Sequence, residues 1–204
     1  MNVYVESNFV LERALEQEQS ESCGKLIELA GAGAVHVFIP AFSLAEPYIA
    51  LMHKGNERMR LIPELRKHLS ELGRSKPYRT ASDDFAELTT LLIDSVESER
   101  MRLQVAADGV LDAAEIIPLT AGVFREAKAF RFGFDMSFQD SIVLASVVLH
   151  LMETKPAESC FLNRNTKDFA DPNIRDVLDG FGCRFFGRFD HALGFIEARF
   201  RSQE

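Results

Sequence analysis

Four acidic residues and one carboxamide stand where this chain has the means to do chemistry: Glu6, Glu46, Asp140, Asp168 and Asn165. Glu6 directly follows the short apolar run Val3-Tyr4-Val5, and Glu46 lies one short loop and one helical turn beyond Val35–Ile39. Asp140 falls in the first turn of a helix that follows Phe134-Asp135-Met136-Ser137. Asn165 and Asp168 come just after Ser159-Cys160-Phe161-Leu162. Acids that converge on one edge repel one another unless a cation joins them, and an oxygen-rich set of this kind suits Mg²⁺ or Mn²⁺. A cation held there can activate water and stabilise the developing charge of a phosphodiester under in-line attack. The plain alternative is that Glu46 and Asp140 merely favour helix N-termini, and spacing alone leaves both readings open. No nucleophilic triad accompanies the acids. Gly31-Ala32-Gly33 lies between a helix and a strand, the reverse of the order in a dinucleotide fingerprint.

The elements that must position these residues follow from periodicity. Short apolar runs alternate with longer helical patterns, which predicts an α/β fold. Strands are expected at 3–5, 35–39, 114–118, 159–162 and 183–186. Asn8 is expected to cap a helix starting at Phe9, and a second helix opens at Ser20 or Ser22 and ends at Gly31 and Gly33. The next helix runs from Ser43 to about His53, with Pro47 tolerated in its first turn. A break is expected at Gly55-Asn56, then a helix over 57–72 bent at Pro63 and a long helix over 83–106. Further helices are expected at 121–131, 138–152, 174–179 and 191–201. Strands separated by helices require crossover connections and a mainly parallel sheet. In such sheets the functional site gathers at the carboxyl ends of the strands.

Composition sets the bounds. The 204 residues suffice for one domain over 1–204, with a helical arm at about 57–106 inside it. No apolar run reaches the length of a membrane span, and the N-terminus lacks a signal-peptide pattern. A cytoplasmic protein with no membrane partner is the expectation. Cys23, Cys160 and Cys183 have no paired spacing, so reduced, buried thiols are expected rather than disulfides or a zinc site. The net charge of −8 argues at face value against a nucleic-acid binder. Between Lys54 and Arg79, however, eight basic residues face three acids, a local excess of +5 that leaves −13 on the rest. A basic arm carrying Arg58, Arg60 and Lys67 on an acidic body can track a phosphate backbone. The alternative is a solvated or subunit-contacting helix face. Tyr48 and Tyr78 flank the arm, with base stacking or core packing as their two readings.

At the candidate site the sequence resembles the PIN-domain family. The resemblance lies in Val5-Glu6-Ser7-Asn8 after the first strand and Ile39-Pro40-Ala41-Phe42-Ser43-Leu44-Ala45-Glu46 after the second. It continues in Gln139-Asp140-Ser141-Ile142-Val143-Leu144-Ala145 and in Asn163-Arg164-Asn165-Thr166-Lys167-Asp168-Phe169, in the family's order. It implies a three-layer α/β/α fold with a mainly parallel central sheet of four or five short strands, here with an inserted helical arm. It also implies a Mg²⁺ or Mn²⁺ site, cleavage of RNA, and, as in many relatives, a toxin with an antitoxin partner and a homodimer. Carried onto this chain, Glu6, Glu46, Asp140 and Asp168 become the catalytic acids. The metal ligands are the same four with Asn165, while Ser7 and Asn8 join the substrate contacts. Glu6 stands where the family usually has Asp, and Asn165 where it has an acid. These departures also admit a degenerate domain that binds RNA or protein without cutting. A phosphatase of another α/β family would need a nucleophilic Asp after strand one, where this chain has Glu6.

Overall fold

A computed structural model of the protein describes residues 1–169 and 171–201, and the side chains of all of these except 79–86. The side chains of Arg79, named above for the arm, and of 83–86 at the start of the expected long helix therefore lie outside the described residues. The chain runs β1 (Asn2–Val5), α1 (Ser7–Ala14), α2 (Ser20–Gly31), β2 (His36–Pro40), α3 (Ala41–Gly73) and, after a 3-10 turn at Lys76–Tyr78, α4 (Arg79–Ala113). It continues with β3 (Ala114–Ile117), α5 (Ala121–Phe134), α6 (Phe138–Thr154), β4 (Ser159–Leu162), α7 (Thr166–Phe169), α8 (Pro172–Asp179), β5 (Cys183–Phe186) and α9 (Phe189–Arg201).

The sheet is five-stranded, in the order β3-β2-β1-β4-β5, and every pairing is parallel. The strands are short and apolar because both faces are covered. Alternate residues supply the two faces. Val3, Val5, Val37, Ile39, Cys160 and Leu162 share one buried cluster with residues of α1, α2, α4 and α9. Tyr4, Phe38 and Phe161 join the opposite cluster with α6 and α8. The result is the expected α/β/α sandwich. All three cysteines are free and buried, and burial pushes the Cys183 thiol up to about 12. Among the described residues no single helix is long and apolar enough to cross a membrane. The most apolar, α6, is buried continuously from Ser141 to Val148.

The largest correction concerns the arm. Instead of a break at Gly55-Asn56, α3 runs unbroken for 33 residues, and α4 for 35. Gly55 does not end the helix because it serves as the point of close approach to α4. A Cβ placed there would lie 3.1 Å from Val96 Cγ1, and Gly55 is buried. Pro47 is the seventh residue of α3, beyond its first turn, so the helix forgoes the bond from position 47 to the Ser43 carbonyl. Packing against α4 outweighs that loss and the matching one at Pro63. The start of α1 also differs: Glu6, not Asn8, is its N-cap. The short helix α7 stands after β4, where no element is expected from the sequence. Tyr48 and Tyr78 are both exposed, not packed in the core.

Gly55→Leu should lower stability by about 1–3 kcal/mol through overpacking of the α3–α4 contact. Urea unfolding should show Val96→Ala in the same chain recovering part of the loss.

Candidate functional site

The strand order reverses between β1 and β4: the chain passes outward through β2 and β3 on one side, then returns through β4 and β5 on the other. This is the switch point at which α/β sheets place ligands. Val5 pairs with Leu162, so Glu6 and Asn163 emerge side by side from the two central strands. α3 follows β2 and brings Glu46 to the same edge, while α6 begins there and brings Asp140 in its first turn.

Glu6 is only 6% exposed, and its carboxylate caps α1. Oε1 accepts from the Asn8 backbone N–H at 3.2 Å, and Oε2 accepts from the Ser7 hydroxyl at 2.7 Å. Burial raises the Glu6 carboxyl from an ordinary 4.5 to about 7; these hydrogen bonds oppose the rise and the charge on Glu46 adds to it. Glu46 is raised by burial, with Asp140 adding to the rise, while a hydrogen bond to the Ser7 side chain opposes it. The Ser7 hydroxyl thus lies beside both acids while donating to Glu6, and the electrostatic coupling runs from Glu6 through Glu46 to Asp140. Asp140 is also bound by Ser137, the N-cap of α6, whose hydroxyl donates to Oδ2 at 2.5 Å while accepting from the Asp140 backbone N–H at 3.0 Å. Asn165 Nδ2 donates to Asp140 Oδ1 at 3.3 Å and to Asp168 Oδ2 at 2.8 Å. The edge therefore holds Glu6, Ser7, Asn8, Glu46, Asp140, Asn165 and Asp168 as one connected polar group.

The donor chemistry fits a hard divalent cation. All the ends are oxygens apart from the amide nitrogens, and none of the four acids has an ion-pair partner among the described residues. The Asn8 Oδ1 is buried with no hydrogen-bond partner. The fit is one of chemistry and placement, not of a finished cage. Among the described residues no three acidic, histidine or cysteine side chains stand together as a ready ligand set.

Several supporting residues escaped the sequence reading. Asn163, 1% exposed, accepts at Oδ1 from Asn8 Nδ2 and from the Asn165 backbone N–H, both at 2.8 Å. Glu12, one helical turn beyond Asn8 and also 1% exposed, pairs with Arg164 and accepts from the Gln19 N–H at 2.6 Å. Successive turns of α1 thus grip successive residues of the loop that carries Asn165. The spacing of Asn8 and Glu12 is the only sequence signal for this clamp, and nothing in the sequence names its partners.

The arm is less suited to substrate than its charge suggests. Arg58 is committed to the hairpin, bonding Glu99 at 2.9 Å and Ser95 Oγ at 2.8 Å. Arg60 and Lys67 are exposed, but Glu57, Glu64 and Glu71 alternate with Arg60, Lys67 and Arg74 at three- and four-residue steps along α3. Such alternation is the pattern of a solvated helix face. At 1.5 Å per residue, Arg60 lies about 21 Å and Lys67 about 32 Å along the helix from Glu46. Of the outlying polar residues, Asp135 is exposed in a left-handed turn at φ 51°, and Gln139 is exposed.

Two consequences are measurable. A carboxyl whose folded pKa is raised stabilises the fold fully below its unfolded pKa and loses that contribution as pH rises through the folded value. In chelator, the wild type should therefore lose on the order of 3 kcal/mol between about pH 4.5 and 8 through Glu6. Denaturant melts of Glu6→Gln should show that slope reduced. Separately, Arg164→Leu leaves the Glu12 carboxylate buried without its cation, at a cost of about 3 kcal/mol. Glu12→Gln in the same chain should restore part of it in the same melts.

Comparison with known proteins accords with this architecture. Comparison with curated proteins gives no match. Among solved structures, the chain is similar to one in the crystal structure of VapBC2 from Rickettsia felis bound to a DNA fragment from their promoter. That likeness has 15% identity and a TM-score of 0.45, and covers 85% of this chain and 96% of the other. The sequence model of the PIN domain matches residues 3–169, from β1 through α7, and so spans every element that supplies the acidic edge. The chain belongs to the PIN-domain family.

Proposed function

We propose that this PIN domain is a metal-dependent endoribonuclease. The observation that supports it most is the gathering of Glu6, Glu46 and Asp140, electrostatically coupled at the switch point of the sheet, with Asp168 tied to Asp140 through Asn165 and no ion-pair partner for any of the four among the described residues. In this reading Glu6, Glu46 and Asp140 hold Mg²⁺ or Mn²⁺, with Asp168 and Asn165 completing the set. When bound, such an ion supplies Lewis-acid polarisation of a phosphoryl oxygen and a more acidic water.

The chain's own residues do the rest. Ser7 orients Glu6 through its hydroxyl, which donates to the carboxylate. Burial raises the Glu6 carboxyl to about 7 without a cation, so binding one there releases a proton near neutral pH. Asn165 restrains Asp140 and Asp168. Ser7 and Asn8 are the polar groups this reading assigns to a phosphate, and Arg60 and Lys67 meet substrate only where the RNA extends along α3. An antitoxin protein and a second copy of the chain are the partners this reading expects, on the strength of the family alone.

A second reading, a domain that binds RNA or protein without cutting, is favoured by Asn165. Its neutral carboxamide donates to two of the acids, occupying acceptor sites otherwise open to a cation. A Mn²⁺ titration by calorimetry on wild type and Asp140→Asn separates the two, run beside an RNA cleavage assay with and without Mn²⁺. Wild-type binding, weakened at least about 10- to 100-fold in the variant together with cleavage, is the expected outcome. Absence of binding and cleavage in the wild type would replace the nuclease with the binding module.

A further inference from the structure

We propose that the exposed face of α5 is the docking surface for single-stranded nucleic acid, with Phe132 stacking an unpaired base beside the acidic edge; this rests on the RNA reading given above. Phe124, Arg125, Lys128, Arg131 and Phe132 are all exposed. At 100° per residue they fall within an arc of about 120° on one helix. The opposite side, Val123 and Ala127, is buried against Ile142 and Ala145 of α6. The one acid of α5, Glu126, lies outside the arc. Phe132 is 88% exposed, the most exposed large apolar side chain among the described residues.

The surface joins the site through Phe138, the first residue of α6, two positions before Asp140. Phe124 stacks on the Phe138 ring with centroids 6.4 Å apart, and the Arg131 guanidinium lies 5.9 Å from the same ring. Only Asp135, Met136 and Ser137 separate the end of α5 from the start of α6. A strand held on α5 is therefore delivered to the acids. Charge selects the occupant: Arg125, Lys128 and Arg131 form no ion pair among the described residues, in a chain whose net charge is −8. Cations interleaved with exposed aromatic rings match a phosphate backbone with splayed bases. On α3, by contrast, Glu57, Glu64 and Glu71 alternate with Arg60, Lys67 and Arg74 along one face.

The test uses the full chain in EDTA and a fluorescein-labelled single-stranded RNA of about twelve nucleotides, within the usual site size, read by anisotropy. Phe132→Ala should weaken binding about tenfold, and Phe132→Trp should restore it. Lys128→Gln and Arg131→Gln should each flatten the salt dependence of log K by about one ion. Phe132 touches no core, so thermal melts of these variants should match the wild type. Absence of RNA binding, wild-type affinity in Phe132→Ala, or equal affinity for a duplex of the same sequence overturns the surface. A Mn²⁺ cleavage assay keeps the two readings apart. Binding through α5 without wild-type cleavage sinks the nuclease and leaves the surface. Wild-type cleavage with α5 variants that bind normally sinks the surface and leaves the nuclease.

Discussion

The parallel pairing of β1 with β4 is the constraint on which the rest of this structure depends. Residues separated by more than 150 positions are held in register, Val5 against Leu162, at the centre of the sheet. Because both strands end at the same level, whatever follows them is forced together at one edge. Glu6 and the Asn163–Asp168 segment occupy those positions. The outer strands and the helices on either face bury the pair and hold it in place, and α3 and α6 add Glu46 and Asp140 at the same level.

That placement sets an electrostatic problem, and the fold manages it without cations. Glu6 is buried beside another acid, and the cost of desolvation raises its carboxyl to about 7, well above the ordinary carboxylate range. Hydroxyl and amide groups of Ser7, Asn8, Ser137 and Asn165 supply the donors that keep the acids in fixed positions. The nearby positive charge is turned away: Arg164, between two residues of the site loop, is drawn toward Glu12 and Glu18. Buried ion pairs are weak contributors to net stability. The value of this one is geometric, since it and the Asn8–Asn163 bond fasten α1 to the loop at two successive turns. An edge built this way keeps its acids unpaired yet ordered, a state suited to a divalent ion.

The distribution of surface charge separates two helical regions that composition makes look alike. α3 carries more basic residues, but its charges alternate in sign and Arg58 is turned into the contact with α4. Length explains the design: a helix of 33 residues extending along one partner needs a solvated outer face, and alternating charges provide it. α5 carries fewer cations, but they lie together with two exposed rings on an arc of the helix that Glu126 does not share.

Much of the architecture was legible because local physics dictates it. Short runs of three to five residues between helical patterns announced all five strands, and β4 and β5 lie where expected. The acids after those strands could be listed for the same reason, since a parallel sheet sends its strand ends to one edge. Single residues whose meaning depends on a distant partner were not legible. Gly55 reads as a helix terminator until Val96 is seen against it, and Asn8 reads as a cap until its amide is found on Asn163. The basic excess of α3 is visible in the chain, whereas the commitment of Arg58 and the open cations of α5 are not. Sequence by itself determined the element types, the parallel sheet and the candidate acids, because periodicity and strand-end placement are local or topological. Only the tertiary structure decided the long hairpin, the clamp around Asn163 and Arg164 and the clear face of α5, because each depends on which side chains meet across the fold.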